Sequence, residues 1–494
     1  MEYRSQKIAY WYFVAALPLF VLQVFLGLYL GSSYAFTIPQ EVVDVFSFAT
    51  ARSMHTNLLV LWLLLGFMGG TYYIVPEETQ SEIYSPGLAY FQLVALLATG
   101  VVALIGFFFG WTQGRPLLEI PRPLDLVIVV GALIFLFNVG MTMLKANRWT
   151  VIQGTLLGGL VFLALLYLFG IPFYKNEVID WYYWWWVIHL WVEGSWELVA
   201  AAIMAFILMK LTGVDRQVVE KWLYVEIGLF MFTGIAGTGH HYYWIGAPRY
   251  WLWIGGIFSA LEPLPILLMV IDTMMHVKER KTQIVNPLVW TYAIGCAVFH
   301  MIGAGVWGFA HTLPQINYYT HGSQVTVSHG HLAFFGAYAL LNLTTFYFAM
   351  PKIRGIEVFD ERRGKYGFWT MNVAMMIMGL TFGVAGVLQA YIEPVLGLGY
   401  MTAQSYMRLW MLVTIIAGVF FLAGLSPHAF CLAGREARRI LPPAGNLNRR
   451  GRGHSPAGMS GDTPGFLVDK NRSVPGGSVP DKEERWIGTP RHLS

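Results

Sequence analysis

Apolar runs of about 20 residues recur along most of the chain, separated by short polar turns. A helix needs roughly 20 apolar residues to cross about 30 Å of hydrocarbon, and about twelve runs satisfy that length. They begin near Tyr10, Ser53, Leu88, Leu124, Val151, Trp181, Val218, Trp251, Leu288, Val325, Phe368 and Ser405. The pattern predicts an all-α membrane protein, a bundle of about twelve transmembrane helices filling residues 1–441. From about Pro442 to Ser494 the apolar period stops and Gly, Pro, Ser and Arg dominate. That stretch is expected to be a disordered tail outside the chemistry.

Composition strengthens the membrane reading. Of 494 residues, 56% are hydrophobic and 12% charged, against roughly 25% charged in a soluble domain. So little charge cannot cover so apolar a core, and lipid must cover it instead. The formal charge of +4 gives no indication of nucleic acid. Arg4 and Lys7 precede a first run too long for a signal sequence, with no small-residue cleavage site after it, so no cleavable signal is expected. An even number of spans puts both termini on one side, and charge says which. With the N-terminus inside, the cytoplasmic loops hold Arg4, Lys7, Lys145, Arg148, Arg216, Lys221, Lys278, Arg280 and Lys281. Lys352, Arg354, Arg362, Arg363, Lys365, Arg435, Arg438 and Arg439 join them. The opposite side has Arg52, Arg115, Arg122, Lys175 and Arg249. Both termini are therefore expected in the cytoplasm. Cys296 and Cys431 each stand alone in an apolar stretch, which suits packing and implies no disulfide. Trp181, Trp184, Trp185 and Trp186 open the sixth run at its outer end, where an interfacial aromatic belt is expected.

Ionisable side chains inside a span are expensive and mark function by default. His55, His189, His240, His241, His329 and His331 all fall inside runs. With the orientation above they share one depth, in the outer part of the bilayer. Packed histidines have no reason to share a level, whereas neutral imidazole is the commonest metal ligand. At 3.6 residues per turn, His329 and His331 point about 200° apart, so they can serve two metals on opposite sides of one helix. A heme on either face fits that demand. His189 and Glu193 lie one turn apart on one face, with Glu197 a turn further on. His189 and Glu193 can chelate one ion whose shell His240 and His241 complete. Three imidazoles with a carboxylate suit non-heme iron, and an all-imidazole set would favour copper more. His55 is left as a second axial ligand for one heme.

These residues carry a resemblance. His240-His241 and His329-Gly-His331 resemble the heme-copper oxidase superfamily. The segment His189-Leu-Trp-Val-Glu193-Gly-Ser-Trp-Glu197 is similar to the catalytic subunit of cytochrome c-dependent nitric oxide reductases, over residues 1 to about 430. The resemblance implies an oxidase subunit I-like bundle. It implies a low-spin heme b on His55 and His331, and a high-spin heme b on His329. It further implies non-heme iron on His189, His240, His241 and Glu193, with Glu197 and Glu262 tuning the site or passing protons. Two features depart from it. Where the family has a calcium-binding glutamate after Gly114-Arg115, this chain has Pro116, which puts a calcium site in doubt, while Glu119 matches a second family glutamate. The long tail is not a family feature either. Arg115 and Glu119, in an outer loop, are placed near the proton entry or the heme propionates, or else in solvent.

The implied reaction joins two NO molecules, two electrons and two protons into nitrous oxide and water. Protons are expected from the outer side, without pumping. No ladder of Lys or Glu leads inward, and Glu226 and Asp272 lie singly toward inner span ends. No CxxCH motif occurs, so no covalent heme c is expected. The chain also lacks the long N-terminal extension of quinol-using relatives. A membrane-anchored cytochrome c subunit should then pass electrons from a soluble cytochrome c or cupredoxin, in the inner membrane of a bacterium. The runner-up is an oxygen-reducing terminal oxidase with copper in place of the iron. It is disfavoured because Glu193 stands where many oxidases have a tyrosine, although Tyr242 or Tyr243 could be offered instead. A transporter leaves the coplanar histidines unexplained. His276, His300, His311, His321, His428, His454 and His492 are expected to be structural, loop or tail residues.

Overall fold

A computed structural model describes residues 2–146, 148–356 and 359–433. The expected tail and its boundary near 441 lie outside these residues, as do Arg435, Arg438, Arg439, His454 and His492. Among the described residues there is no strand, only an isolated bridge between Arg115 and Leu118.

The first six spans are α1 (Arg4–Ala35), α2 (Phe48–Thr79), α3 (Pro86–Phe108), α4 (Arg122–Leu144), α5 (Val151–Gly170) and α6 (Glu177–Thr212). A helical run at 216–241, α7, follows. It is built from Arg216–Leu229, Phe230–Gly234, Ile235–Gly237 and Thr238–His241. Then come α8 (Tyr250–Arg280), α9 (Pro287–Thr312), α10 (Gln324–Arg354), α11 (Glu361–Val395) and α12 (Tyr400–Cys431). Eleven of these helices are long and apolar enough to cross a membrane. The expected seventh span is helical as predicted but falls outside that set, because Glu226 and a Gly- and Thr-rich C-terminal end dilute its apolar content.

Capping sets the boundaries. Side chains of Ser47, Ser85, Thr150, Asn176, Asn286 and Ser323 accept backbone N–H bonds at the starts of α2, α3, α5, α6, α9 and α10. α11 starts well before Phe368 because Asp360 caps it and Glu361 pairs with Lys365 (2.6 Å), so its first turns are polar. Gly213 and Gly355 end α6 and α10 in the left-handed region.

Basic residues assigned to one side of the membrane meet at one end of the bundle. Arg216 pairs with buried Glu78 (2.9 Å), and Arg148 Nε donates to the Glu78 carbonyl (3.2 Å). Lys210 reaches buried Glu77 (2.6 Å), and the backbone N–H of Arg4 donates to Glu82 (2.9 Å). Loops before α1 and after α2, α4 and α6 therefore share a side, as alternating spans require.

The feature that positions the site is a set of π turns. They occur at Trp191–Ser195 in α6, Phe230–Gly234 in α7, Met301–Gly308 in α9, Phe335–Ala339 in α10 and Tyr391–Val395 in α11. Each inserts extra rotation, which re-aims the side chains around it. α9 and α10 also approach to backbone contact: a Cβ on Gly303 would lie 2.4 Å from the Leu332 carbonyl carbon.

Candidate metal centre and heme pockets

Four candidate ligands converge where α6 meets the C-terminal end of α7. His189 is one residue from the end of the regular helix, and Glu193 sits inside the π turn that follows. His240 and His241 occupy a short 3₁₀ turn, whose tighter winding points both rings inward. His189 Nδ1 is 3.2 Å and His240 Nε2 3.5 Å from Glu193 Oε2, while His241 Nε2 is 3.0 Å from Glu193 Oε1. One ligand atom from each residue fits within 4.8 Å of the others, the only such group among the described residues.

The surroundings orient these rings. His189 Nε2 bonds the Gly234 carbonyl (2.7 Å), and His240 Nδ1 is hydrogen-bonded to Ser259 Oγ (2.6 Å). The other nitrogens are thereby aimed at the cluster, as around bound metals generally. His189 Nδ1 is buried and lies near the Glu193 carboxylate, yet makes no hydrogen bond with it. A buried nitrogen left without a partner, beside a carboxylate and two more imidazoles, fits a divalent ion.

The other three histidines form the second and third groups. His55 and His331 face each other with ring centres 6.2 Å apart and planes 27° from parallel. Two metal–nitrogen bonds of about 2 Å plus the ring radii fill such a gap. The Nδ1 atoms bond backbone carbonyls of Gln23 and Val327, both at 2.9 Å, so the Nε2 atoms are left to meet a metal between them. His329 Nδ1 bonds the Gly303 carbonyl (3.0 Å), which likewise frees its Nε2. A cavity of about 630 Å³ lies between His329 and the four-residue cluster. Glu193, Glu197, His240 and Glu262 form its polar wall, and Val192, Phe309, Ala333, Phe334 and Ala337 line the rest. Donors, facing rings and cavity all fit two hemes and one more metal.

Arg115 and Glu119 are both buried, so the solvated-loop alternative is corrected. Arg115 binds Asp180 (2.5 Å) and the Gly170 carbonyl (3.0 Å), and lies 3.7 Å over the Phe173 ring. Glu119 accepts from Thr56 (3.3 Å) and Asn57 (2.9 Å), the two residues after His55. Burial pushes its carboxyl above the usual carboxylate range, against the pull of the Asn57 amide. Pro116 uses its carbonyl to accept from Trp184 Nε1 (3.2 Å). Glu119 joins no ligand cluster among the described residues.

Two expectations change. The tryptophans are not simply a belt: Trp184 is buried, and Trp185 stacks on His241 with ring centres 4.8 Å apart and planes 6° from parallel. His300, expected to be structural, has its Nε2 3.2 Å from Glu197 Oε1. Its proximity signal was faint: Gly303 on α9 and Gly336 on α10 let α9 press close to the His-x-His helix. His311 bonds Thr320 and Thr326, His321 bonds Asn317, His276 bonds the Asp272 carbonyl and His428 bonds Tyr292. Cys296 and Cys431 are buried and free.

The family described as Cytochrome C and Quinol oxidase polypeptide I matches residues 7–420. The chain belongs to that family. Similarity within the family is uneven. A nitric oxide reductase subunit of Stutzerimonas stutzeri is 44% identical over 468 residues, 90% of this chain and 98% of the relative. A cbb3-type cytochrome c oxidase subunit of the same organism is 22% identical over 441 residues, 82% of this chain and 89% of that one. A cytochrome c oxidase subunit 1 homolog of Agrobacterium tumefaciens is 21% identical over 412 residues, 78% of this chain and 75% of that one. This member of the oxidase polypeptide I family is thus a multi-pass membrane oxidoreductase, grouped with the nitric oxide reductase chain rather than with the oxidases.

Proposed function

We propose that the chain is the catalytic subunit of a bacterial respiratory nitric oxide reductase, converting 2 NO, two electrons and two protons to N2O and water. The observation that carries this reading is Glu193 set among His189, His240 and His241 across a cavity from His329. When bound, a high-spin heme b beside a non-heme iron supplies two adjacent reducible metals, and a low-spin heme b feeds them electrons. His329 would hold the first, the cluster the second, and His55 with His331 the third.

The protein's own part is positioning, charge and protons. Apart from its carboxylate and imidazole wall the cavity is lined largely by apolar side chains, which suits a small neutral substrate. Holding two reactants side by side in it replaces a bimolecular encounter, an advantage worth several kcal/mol. Glu193 places a negative charge among three neutral imidazoles, and so favours the more oxidised state of the metal they hold. Glu197 and Glu262 reach the same cavity and can deliver protons there. Arg115 and Glu119, buried at the loop beside α2, stand on the outer side of that level, where protons would enter. A membrane-anchored cytochrome c subunit, itself reduced by a soluble cytochrome c or cupredoxin, would supply electrons from the outer side. The expected location is the inner membrane, with both termini cytoplasmic. The stretch at 442–494 would be a tail outside the chemistry.

The oxidase alternative needs a tyrosine at the metal pair. Tyr242 stacks on Tyr182 (4.4 Å) and Tyr243 donates to the Thr312 carbonyl (3.2 Å), and neither lines the cavity. Tyr338 does line it, with its hydroxyl donated to the Val192 carbonyl. Elemental analysis of iron and copper against heme, with NO consumption on the same sample, tests the proposal. One non-heme iron per chain with N2O formed supports it. One copper per chain with fast oxygen reduction overturns it.

A further inference from the structure

The carboxylates at the cavity are not equally held. Glu193 is engaged by three imidazoles, whereas Glu262 Oε1 is buried without a hydrogen-bond partner. Glu197 is hydrogen-bonded to His300 Nε2 at 3.2 Å, and both side chains are almost wholly buried. His300 ends the regular part of α9, immediately before the π turn at Met301–Gly308, and its Nδ1 has no partner. The groups near Glu197 come from every neighbouring helix: Glu193 and His189 on its own, Glu226 on α7, Glu262 on α8, His300 on α9 and Tyr338 on α10. Tyr338 is spent on the Val192 carbonyl (2.5 Å). Glu226 Oε2 is buried without a hydrogen-bond partner, and the His189 ring nitrogens face the Gly234 carbonyl and Glu193. Among these neighbours, His300 is the one whose ring nitrogen lies within hydrogen-bond distance of Glu197.

We propose that His300 is a positioning residue for Glu197, donating from Nε2 to Oε1 and so fixing which way the carboxyl faces the cavity. A carboxyl at a cavity edge has two oxygens and several rotamers, and only one arrangement presents a proton inward. With Oε1 tied to α9, Oε2 is the oxygen left for the cavity. The imidazole lies behind the carboxyl and outside the residues lining the cavity, so it does not touch substrate. This inference rests on Glu197 acting as a proton carrier in the proposed reaction.

The test compares His300→Gln with His300→Leu in the complete membrane complex carrying its cofactors. Gln places an amide N–H near the position of Nε2 but cannot change protonation state, and Leu removes the donor. Redox-difference infrared spectra report the Glu197 carboxyl stretch, assigned by its loss in Glu197→Gln. The expected result is a displaced carboxyl band and roughly 100-fold slower NO consumption in His300→Leu, the size expected of a misplaced reacting group. His300→Gln should retain the band near its wild-type position and most of the rate, with heme and non-heme metal content unchanged in both. A wild-type band and rate in His300→Leu overturn the proposal. So does His300→Gln failing as badly as His300→Leu, because a protonatable ring would then be required. If the unaltered enzyme consumes no NO while the band still moves in His300→Leu, the positioning role stands and the functional reading falls.

Discussion

Spans α3 and α4 differ from α6 and α10 in a direction opposite to that of water-soluble proteins. The most apolar 18-residue stretches of α3 and α4 have mean hydropathies of 2.3 and 2.4, and a third of each is buried. The corresponding stretches of α6 and α10 are less apolar, at 1.6 and 1.4, yet 89% of each is buried. In water the most apolar helix goes inside. In lipid, apolar surface costs nothing outside, and the polar groups that lipid cannot satisfy are driven to the centre. Regularity divides the helices in nearly the same way: π turns occur in α6, α7, α9, α10 and α11 and in none of α1–α5 among the described residues, α2 being the well-buried span that stays regular. Centre and rim therefore obey different rules: the centre is built for geometry and the rim for solvation.

That contrast can be broken most severely at the ligands. His189→Leu should abolish non-heme metal while both hemes remain, with NO consumption falling at least roughly 1,000-fold as the proximity of two metals is lost. Retention of the metal in that variant would falsify the ligand assignment. A smaller effect is expected one bond further out. Ser259→Ala removes the group holding His240 Nδ1 and should weaken metal binding about 10- to 100-fold, read by chelator competition. An unchanged competition curve there would mean that backbone packing alone orients the ring.

Third in size come the glycines behind His329 and His55. A Cβ on Gly308 would meet His329 Cε1 at 2.8 Å, and one on Gly27 would meet His55 Cε1 at 2.9 Å. Gly27→Ala should therefore shift the low-spin heme spectrum and Gly308→Ala the high-spin one, each costing about 1–3 kcal/mol by overpacking. Spectra that change in the opposite pairing would undo the partition of the three histidines. The smallest effect belongs to the rim. Val130→Ala and Leu133→Ala, on the half-exposed face of α4, should stay within about 0.5 kcal/mol in thermal unfolding of the purified complex. A large loss at either would mean that this face is covered by protein instead of lipid.

Much of this was legible along the chain because the signals are local. The span starts at Val151, Leu288 and Val325 fall within a residue of the observed helices at Val151, Pro287 and Gln324, since apolar length and capping residues lie next to one another in sequence. The separation of His329 from His331 follows from helical pitch alone, and the two rings do serve different pockets. The gathering of His189, Glu193, His240 and His241 needed only one helical turn and one adjacent pair. The seventh span was harder to read, because Glu226 and the glycines weaken its apolar signal while neighbouring helices still satisfy it.

Long-range contacts were not legible. His300 meets Glu197 across 103 positions, and Arg115 meets Asp180 across 65. Neither pair has a spacing that distinguishes it from a surface histidine or a loop arginine. Trp184 and Trp185 read as belt residues because an interfacial tryptophan and one stacked on a ligand have the same neighbours in sequence. The sequence by itself determined the all-helical architecture, most helix positions to within a few residues and the types of donor at the centre. These depend on pitch, length and the cost of charge in hydrocarbon, all properties of one segment at a time. The tertiary structure decided which carboxylate each imidazole faces, which ring nitrogen is free and which loop residues are buried. Those depend on π turns and glycine contacts that rotate and press one helix against another, and no single segment encodes its partner's rotation.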